Sequence, residues 1–586
     1  MPPKQTLPQL VREALAKPRA QALVERVAGK WTPTSSTTLL TRVERLASSL
    51  EDAQMQPGDR IALISHDCVD WIVCAFGTLF AGCVVVPIYP TQALDQTAFI
   101  LGHSGVKLLF VDTPQALERL SEIPNLPRTL VMDTVGEGSL RDFEGGVRKA
   151  FRPVPVSPDD LAVLIYTSGT TGNPKGVMLT HDNIAFDARS AMQYGFQAIE
   201  PGQDVLSVLP YSHIFEHTMI YIYLLAKVRY SISHDPSELV ADLRDVRPVS
   251  MTAVPRIFDR VIAAVNAAAL MHGGLQAKLV PWALRAGGDY AYAKTFGRGA
   301  GLRRALRYRI ARALVLRKIR KRLGLDRIVY FTSGSAALHV DTAMTFLGLG
   351  LPIMQGYGLT ETSPVATVSR LSENRYGAVG KPIPGVELKI AEDGEVLTRG
   401  RHVMKGYYRD DAATAEAIEN GWLHTGDVGT IDEKGFLYIT DRKKEVFKTD
   451  GGKFIAPARV ESAIKRSIYV TQAMVVGDGR PHPAAIINAN WDLVRSALAI
   501  PAGVTPEQLA AREDVLAFLT HEVKKQTADL AAFEQVRRVI VIPQEFTVEN
   551  GFLSPAMKIK RRVVEQRYAA EIDAAYQTDL HAHAHA

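Results

Sequence analysis

The sequence has 586 residues, 47% hydrophobic and 22% charged, with a formal net charge of +6 and a pI near 9. That length exceeds a single hydrophobic core and predicts roughly three to four units of ~150 residues, with composition to fill them. The mild net charge comes with no nucleic-acid recognition motif, and no run of ~18 apolar residues predicts a membrane span. The opening "MPPKQTLPQLVREALAKPRA" lacks an apolar stretch of signal-peptide length. Three cysteines, Cys68, Cys74 and Cys83, are an odd number without metal-site spacing. They read as small buried hydrophobes in a reducing cytoplasm, not as a disulfide framework.

Strand and helix patterns alternate from residue 58 onward. "DRIALIS" predicts a strand, "CVDWIVCAFGTLFAG" a helix, "CVVVPIYP" a second strand and "VKLLFVD" (106–112) a third. Strands separated by helix-length segments predict βαβ units and a parallel sheet. The theme returns in "DVLSVLPYSH" (204–213), "SMTAVP" (250–255) and "RIVYFTSGSA" (327–336). Residues 256–325, rich in Ala, Leu and Arg, read as a helical insertion. Past 377 the text turns β-like ("GEVLTRG", "GFLYITDRKKEVF"). From about 442 a smaller unit begins, with helix "PARVESAIKRS" and strands "VTQAMVVG" and "PAAIINA". The closing "HAHAHA" is a low-complexity run, either a weak metal binder or an expression remnant, and is set apart from the fold.

From Arg303 to Arg322 there are ten basic residues and no acidic one, with Leu306, Ile310, Ala313, Leu314 and Ile319 at helical spacing. Two readings stand. One is the solvated face of an amphipathic helix. The other is a peripheral membrane contact on anionic headgroups. Without aromatic interleaving, nucleic acid is not expected.

Residues 166–176 read "YTSGTTGNPKG" directly after the apolar "LAVLI". A strand followed by a Gly- and hydroxyl-rich loop suits phosphate: backbone N–H groups converge, hydroxyls add donors and lysine adds charge. The pattern is not a P-loop. Pro174 stands where the second glycine belongs, and Gly176 follows Lys175 in place of Ser or Thr.

The string "YTSGTTGNPKGVMLTH" resembles the signature loop of the adenylate-forming superfamily, the AMP-dependent synthetases and ligases. Further motifs follow in that family's order: "YGLTET" (357–362), "GWLHTGDVG" (421–429), "DRKKEVFKTDGGKFIAP" (441–457) and "LSPAMKIKRR" (553–562). The resemblance spans about residues 30–570. It implies an α/β fold: a large N-terminal domain of parallel and mixed sheets with helices plus a β-rich subdomain, and a small mobile α+β C-terminal domain. Read onto this chain, the boundaries are 1–441 (with the 256–325 insertion), 442–578 and a tail at 579–586.

The family's chemistry is carboxylate attack on the α-phosphorus of ATP, then thiol attack on the acyl carbonyl. By resemblance, Thr167, Ser168, Gly169, Thr170, Thr171 and Lys175 form the phosphate loop. Glu361 is the magnesium ligand with Thr167 as partner, a few hard oxygens being what Mg²⁺ takes. Gly334, Ser335 and Ala336 wall the adenine, where the family often has Gly-Gly-Ala-Pro. Gly356, Tyr357, Gly358 and Thr360 complete the nucleotide motif, with Tyr357 facing adenine and Thr360 the α-phosphate. Asp427 accepts the ribose hydroxyls and Arg442 adds a second ribose contact. Lys448 is a further nucleotide-side lysine. Lys558 bridges carboxylate and phosphate, its spacing from proline favouring it over the neighbouring Lys560 and Arg561. Lys444 matches the hinge, and Gly451 the glycine that the pantetheine arm of CoA passes. One active site thereby serves both reactions by domain rotation.

"LPYSHIFEHT" (209–218), "AVPRIFDRV" (253–261) and the insertion resemble the long-chain fatty acyl-CoA synthetases. His213 falls beside the acyl tunnel of that group, with a core histidine as the alternative. The expected enzyme is a long-chain fatty acid–CoA ligase, monomer or homodimer, using fatty acid, ATP, Mg²⁺ and CoA. Two alternatives remain at this point: a fatty acyl-AMP ligase that loads a carrier protein, and a lipid-binding scaffold with a dead site.

Overall fold

The computed structural model describes residues 2–145, 151–167, 173–235, 237–297, 299–443, 445–501, 503–554 and 557–583. Ser168, Gly169, Thr170, Thr171, Lys444 and the last three residues of the His-Ala run lie outside them. The chain forms two compact units. The first comprises Met1–Lys389, Leu397–Thr425 and Ile431–Tyr438. The second comprises Ile390–Val396, Gly426–Thr430 and Ile439–Ala586.

The first unit carries two α/β sheets. In one, β1 (Arg60–Ile64) lies parallel between β2 (Val84–Ile88) and Val106–Val111. Helix α1 (Val69–Phe80) crosses from β1 to β2. Every residue of α1 except Asp70 is buried, which is why its text is apolar all round instead of striped. Cys74 and Cys83 are buried and unbridged, and burial pushes the Cys83 thiol up to about 12. Cys68 has a positional role besides: its Sγ caps α1 by accepting the Trp71 N–H at 3.3 Å.

The same sheet carries the strands on either side of residues 168–174. β3 (Leu161–Thr167) runs parallel to β2 and pairs antiparallel with β4 (Lys175–Thr180), ending with Thr167 opposite Lys175. β5 (Gly406–Tyr407) then pairs antiparallel with β4, placing Tyr407 opposite Val177. A segment more than two hundred residues downstream therefore forms the sheet edge beside the loop.

The second sheet orders the parallel strands Ile353–Tyr357, Tyr330–Ser333, Ser250–Ala253, Asp204–Ser207 and Arg229–Ile232 side by side. The hairpin Leu23–Val27/Lys30–Thr34 closes one edge. Every residue of helix α2 (Ile214–Leu225) except Leu225 is buried. Between the neighbouring strands Ser250–Ala253 and Tyr330–Ser333 the chain inserts four helices: α3 (Pro255–His272), α4 (Gly274–Phe296), α5 (Gly301–Ala311) and α6 (Arg317–Arg322). Helix α4 meets α7 (Val340–Gly348) backbone to backbone. A β-carbon on Gly348 would lie 2.3 Å from the carbonyl carbon of Gly287, so only glycine permits that approach.

The basic stretch departs from a single helix. A π-helical turn, Arg312–Leu316, separates α5 from α6. Its wider turn shifts the register, and Val315 and Leu316 become buried while Leu314 stays exposed.

In the second unit, Val470–Val476 pairs antiparallel with Ala484–Ala489, which pairs parallel with Arg538–Ile542. Alternate residues serve two cores, as the two-residue period of a strand requires. Ala473, Val475, Ala485 and Ile487 pack with helices Pro457–Ile464 and Glu513–Thr527. Met474, Val476, Ala484 and Ile486 pack with Phe546, Phe552, Tyr568 and Tyr576. The β-like text past 377 forms the strands Val386–Ile390, Glu395–Gly400, Trp422–Ile431 and Leu437–Arg442, whose residues are divided between the two units.

Candidate active site

The phosphate-side residues in the first unit stand on a rim of paired strand. Pro174 is buried just before β4. Its fixed φ and missing N–H suit a position where the ladder has not yet begun. Lys175 follows as the first residue of β4, with its Nζ 5.0 Å from the centre of the Tyr407 ring. The Tyr407 hydroxyl donates to Glu361 Oε1 at 2.9 Å. Burial, and next the Glu361 carboxylate, push the Tyr407 hydroxyl well above its ordinary range, so it stays a neutral donor. Glu361 sits in the single turn Thr360–Thr362, which packs on β4, and its carbonyl accepts the Met404 N–H at 2.9 Å. Lys175 and Glu361 are thus spaced by one phenol, with Thr167 across the strand pair.

Tyr407 carried no signal in the sequence. "KGYYRD" is chemically plain, and its place arises from the pairing of β5 with β4. Gly358 is demanded locally, since a β-carbon there would lie 1.6 Å from the Pro364 carbonyl oxygen. Among the described residues no three His, Cys, Asp or Glu side chains converge as a metal cluster. The Glu361 carboxylate and the Thr167 hydroxyl are a sparse, hard oxygen set. That set fits Mg²⁺, which keeps its waters and takes phosphate oxygens.

Gly356 and Tyr357 end the strand Ile353–Tyr357, opposite Val368 and Thr367. Gly334 follows Tyr330–Ser333, where a β-carbon would meet the Phe215 ring at 2.8 Å. Ser335 takes a positive φ of 67°, and it and Ala336 are exposed. His213 caps α2, its Nδ1 accepting the Phe215 N–H at 3.1 Å. The same helix buries two titratable groups that the sequence reading passed over. Glu216 Oε1 accepts from Ser207 Oγ and Tyr230 Oη, both at 2.7 Å, and burial raises its carboxyl to about 7. Burial lowers His217 to about 4.

The remaining candidates lie in the second unit. Asp427, on strand Trp422–Ile431, is buried, with Arg442 Nε 3.1 Å from its Oδ1. Lys443 bridges Asp393 at 2.5 Å and Glu395 at 3.1 Å, and Glu395 Oε1 accepts the Gly426 N–H at 2.8 Å. Asp427 thus stands beside a tied-down charged group. Burial raises neighbouring Asp441 to about 6.

Lys448 ends the first strand of a small hairpin, Phe447–Lys448 paired with Phe454–Ile455, its Nζ 5.6 Å from the Phe454 ring. In the turn of that hairpin Gly452 supplies the positive φ of 77°. Gly451 does not: a β-carbon on it would meet only Thr449 Oγ1, at 4.0 Å. Lys558 is exposed on a tight turn, where its carbonyl accepts the Ser554 N–H at 2.8 Å and its N–H donates to Ser554 Oγ at 3.2 Å. Arg561 is committed elsewhere, to Glu461 at 2.5 Å and to the Val475 carbonyl at 3.2 Å. Lys560 caps the helix Arg561–Arg567.

The model of the AMP-binding enzyme family matches residues 10–408, and that of the AMP-binding enzyme C-terminal domain matches 445–580. The chain belongs to the AMP-binding enzyme family. Among curated relatives, this AMP-binding enzyme is 34% identical over 571 residues to the long-chain-fatty-acid–CoA ligase FadD15 of Mycobacterium bovis, covering 94% of each chain. It is 28% identical to the human long-chain-fatty-acid–CoA ligase ACSBG2, covering 97% of this chain and 92% of that one. Among solved structures, the anthranilate CoA ligase AuaEII with anthranoyl-AMP superposes with a TM-score of 0.74 at 18% identity, over 98% of this chain and 99% of that one. The Mycobacterium tuberculosis fatty acyl CoA synthetase superposes with a TM-score of 0.63 at 21% identity, over 97% and 99%. At those identities the structures establish a shared fold.

Proposed function

We propose that this AMP-binding enzyme is a long-chain fatty acid–CoA ligase that uses ATP. The observation that carries the reading is the near full-length match to ligases named for that substrate. In the first half-reaction a carboxylate oxygen of the acid attacks the α-phosphorus of ATP and pyrophosphate leaves. In the second, the CoA thiolate attacks the acyl carbon and AMP leaves with the carboxylate oxygen. Both steps develop charge on phosphate oxygens, so fixed cations and donors contribute most.

In this reading Lys175 and the loop from Thr167 to Thr171 hold the β- and γ-phosphates. Tyr407 keeps Lys175 and Glu361 at a set spacing. Glu361 and Thr167 would hold Mg²⁺, which when bound would screen phosphate charge. Gly334, Ser335, Ala336 and the residues from Gly356 to Thr360 receive the adenine and the α-phosphate. Asp427 and Arg442 receive the ribose, with Lys448 a further nucleotide contact. Lys558 neutralises the meeting of carboxylate and α-phosphate, and Gly451 leaves room for the pantetheine arm. Lys444 is assigned to the hinge. His213, through its cap on α2, sets the wall of the acyl site. A cytoplasmic protein, monomeric or homodimeric, with a peripheral membrane contact through residues 303–322 completes the proposal.

The test is a rate series with ATP and Mg²⁺ over straight-chain acids of two to eighteen carbons and aromatic acids, with and without CoA. The reading predicts CoA-dependent acyl-CoA and AMP, fastest for the long acids. An optimum at short or aromatic acids, or an acyl product that forms only on a carrier protein, would replace it.

A further inference from the structure

Residues 255–322 contain sixteen Lys and Arg against two acids, Asp259 and Asp289, while the rest of the chain carries a net negative charge under the total of +6. The charge of this protein is therefore segregated onto one insertion. Helix α5 shows how that insertion meets its surroundings. Its inward side is Ala305, Tyr308 and Ala311, spaced three apart; Ala311 is buried and Tyr308 stacks on Tyr290 of α4 at 4.3 Å. The bulky aliphatics point the other way. Leu302, Leu306 and Ile310, spaced four apart and hence on one face, are 91%, 60% and 43% exposed.

By helical geometry Arg303 and Arg307 border this row on one side and Arg309 on the other. All three are exposed, and none has an ion pair among the described residues. A usual surface helix turns its aliphatic stripe inward; α5 turns it outward and frames it with arginine. Farther along, Arg320 is occupied by the carbonyls of Gly350, Leu325 and Asp326, so it belongs to the fold and not to this face.

We infer that the outer face of α5 is a docking surface for an anionic lipid bilayer, with Leu302, Leu306 and Ile310 entering the headgroup–acyl boundary and Arg303, Arg307 and Arg309 reaching the phosphates. The chemistry fits a bilayer because aliphatic side chains lie parallel to a basic border along one helix. Charge complementarity selects anionic lipid. Two copies meeting through the same face would bring like charges together. The inference rests on the proposed function only for its purpose, since a long-chain acid resides in such a membrane.

The experiment is flotation of the full chain with vesicles of phosphatidylcholine containing three-tenths phosphatidylglycerol, and with phosphatidylcholine alone. Two triple variants are compared: Leu302→Ser with Leu306→Ser and Ile310→Ser, and Arg303→Glu with Arg307→Glu and Arg309→Glu. The unaltered protein is expected to bind the anionic vesicles at least about tenfold better than the neutral ones, and each variant to lose at least about tenfold of that binding. Ligase activity on water-soluble octanoate stays unchanged in both, which shows that they fold. Absence of vesicle binding by the unaltered protein, equal binding by the aliphatic variant, or binding of RNA in place of vesicles would overturn the inference. So would a dimer that the aliphatic variant dissociates. Vesicle binding is read without turnover, so a failure of the ligase reading would leave this result standing.

Discussion

Lys175 and Lys558 are both assigned to phosphate, yet the fold treats them in opposite ways. Lys175 opens a strand paired on both sides, with Thr167 opposite and the Tyr407 ring 5.0 Å from its Nζ. Lys558 stands exposed on a turn closed through Ser554, while nearby Arg561 holds the second unit together through Glu461. The glycines divide the same way. Gly358 is forced by the Pro364 carbonyl, whereas the described surroundings of Gly451 leave room for a side chain. The contrast teaches that the first unit's candidate phosphate-side groups are held by paired strand, while Lys558 and Gly451 stand on turns of the second unit.

The largest effects break that contrast at Lys558. Lys558→Ala is expected to slow pyrophosphate release with ATP and palmitate by roughly a thousandfold. Thioester formation from supplied palmitoyl-adenylate and CoA stays within a few-fold, as stopped assays of each half-reaction would show. Next is Gly451→Leu, for which the pattern reverses. Adenylation is retained, and CoA transfer falls roughly a hundredfold because a reacting arm displaced by a side chain loses its alignment. The thermal midpoint of this variant is expected to stay near that of the unaltered protein, because a β-carbon there meets only Thr449 Oγ1, at 4.0 Å. Equal loss of both half-reactions in both folded variants would dissolve the distinction.

Smaller effects sharpen the first unit's side. Tyr407→Phe keeps the ring beside Lys175 and removes the hydroxyl on Glu361. It is expected to lower adenylation roughly tenfold, the scale of one hydrogen bond to a charged group, with the loss concentrated in the Mg²⁺ dependence. Tyr407→Ala removes both contacts and costs more. A purely structural tyrosine would instead lower the melting midpoint without moving the Mg²⁺ dependence.

The last effect falls on stability. Burial raises the Glu216 carboxyl from 4.5 to about 7, so between those values the folded chain holds a proton that the unfolded chain has released. Stability therefore falls as pH rises through that window. Glu216→Gln keeps an oxygen for Ser207 and Tyr230 and is expected to flatten the fall, by on the order of a few kcal/mol. Urea midpoints at pH 5 and pH 8 read the difference.

The alternating strands and helices of residues 58–112 were legible because buried parallel strands leave apolar runs punctuated by turns. The candidate phosphate string "YTSGTTGNPKG" stood out in the sequence because anion binding restricts residue types in a short string. Tyr407 was not, since its role comes from two strands that pair across the sheet edge. Glu216 and His217 were hidden beside His213 in "LPYSHIFEHT", where burial and not composition sets their behaviour. For Leu306 and Ile310 two readings stayed open, because periodicity reports that residues share a face and is silent on which way the face turns.

The central claim is activation through an acyl-adenylate, and the fate of the carboxylate oxygen tests it most directly. Palmitate labelled with oxygen-18 in both carboxyl positions is turned over with ATP, Mg²⁺ and CoA, and the products are weighed by mass spectrometry. The account predicts palmitoyl-CoA, unlabelled pyrophosphate and AMP carrying one oxygen-18 atom. Label in inorganic phosphate alongside ADP, or AMP without label, would contradict it.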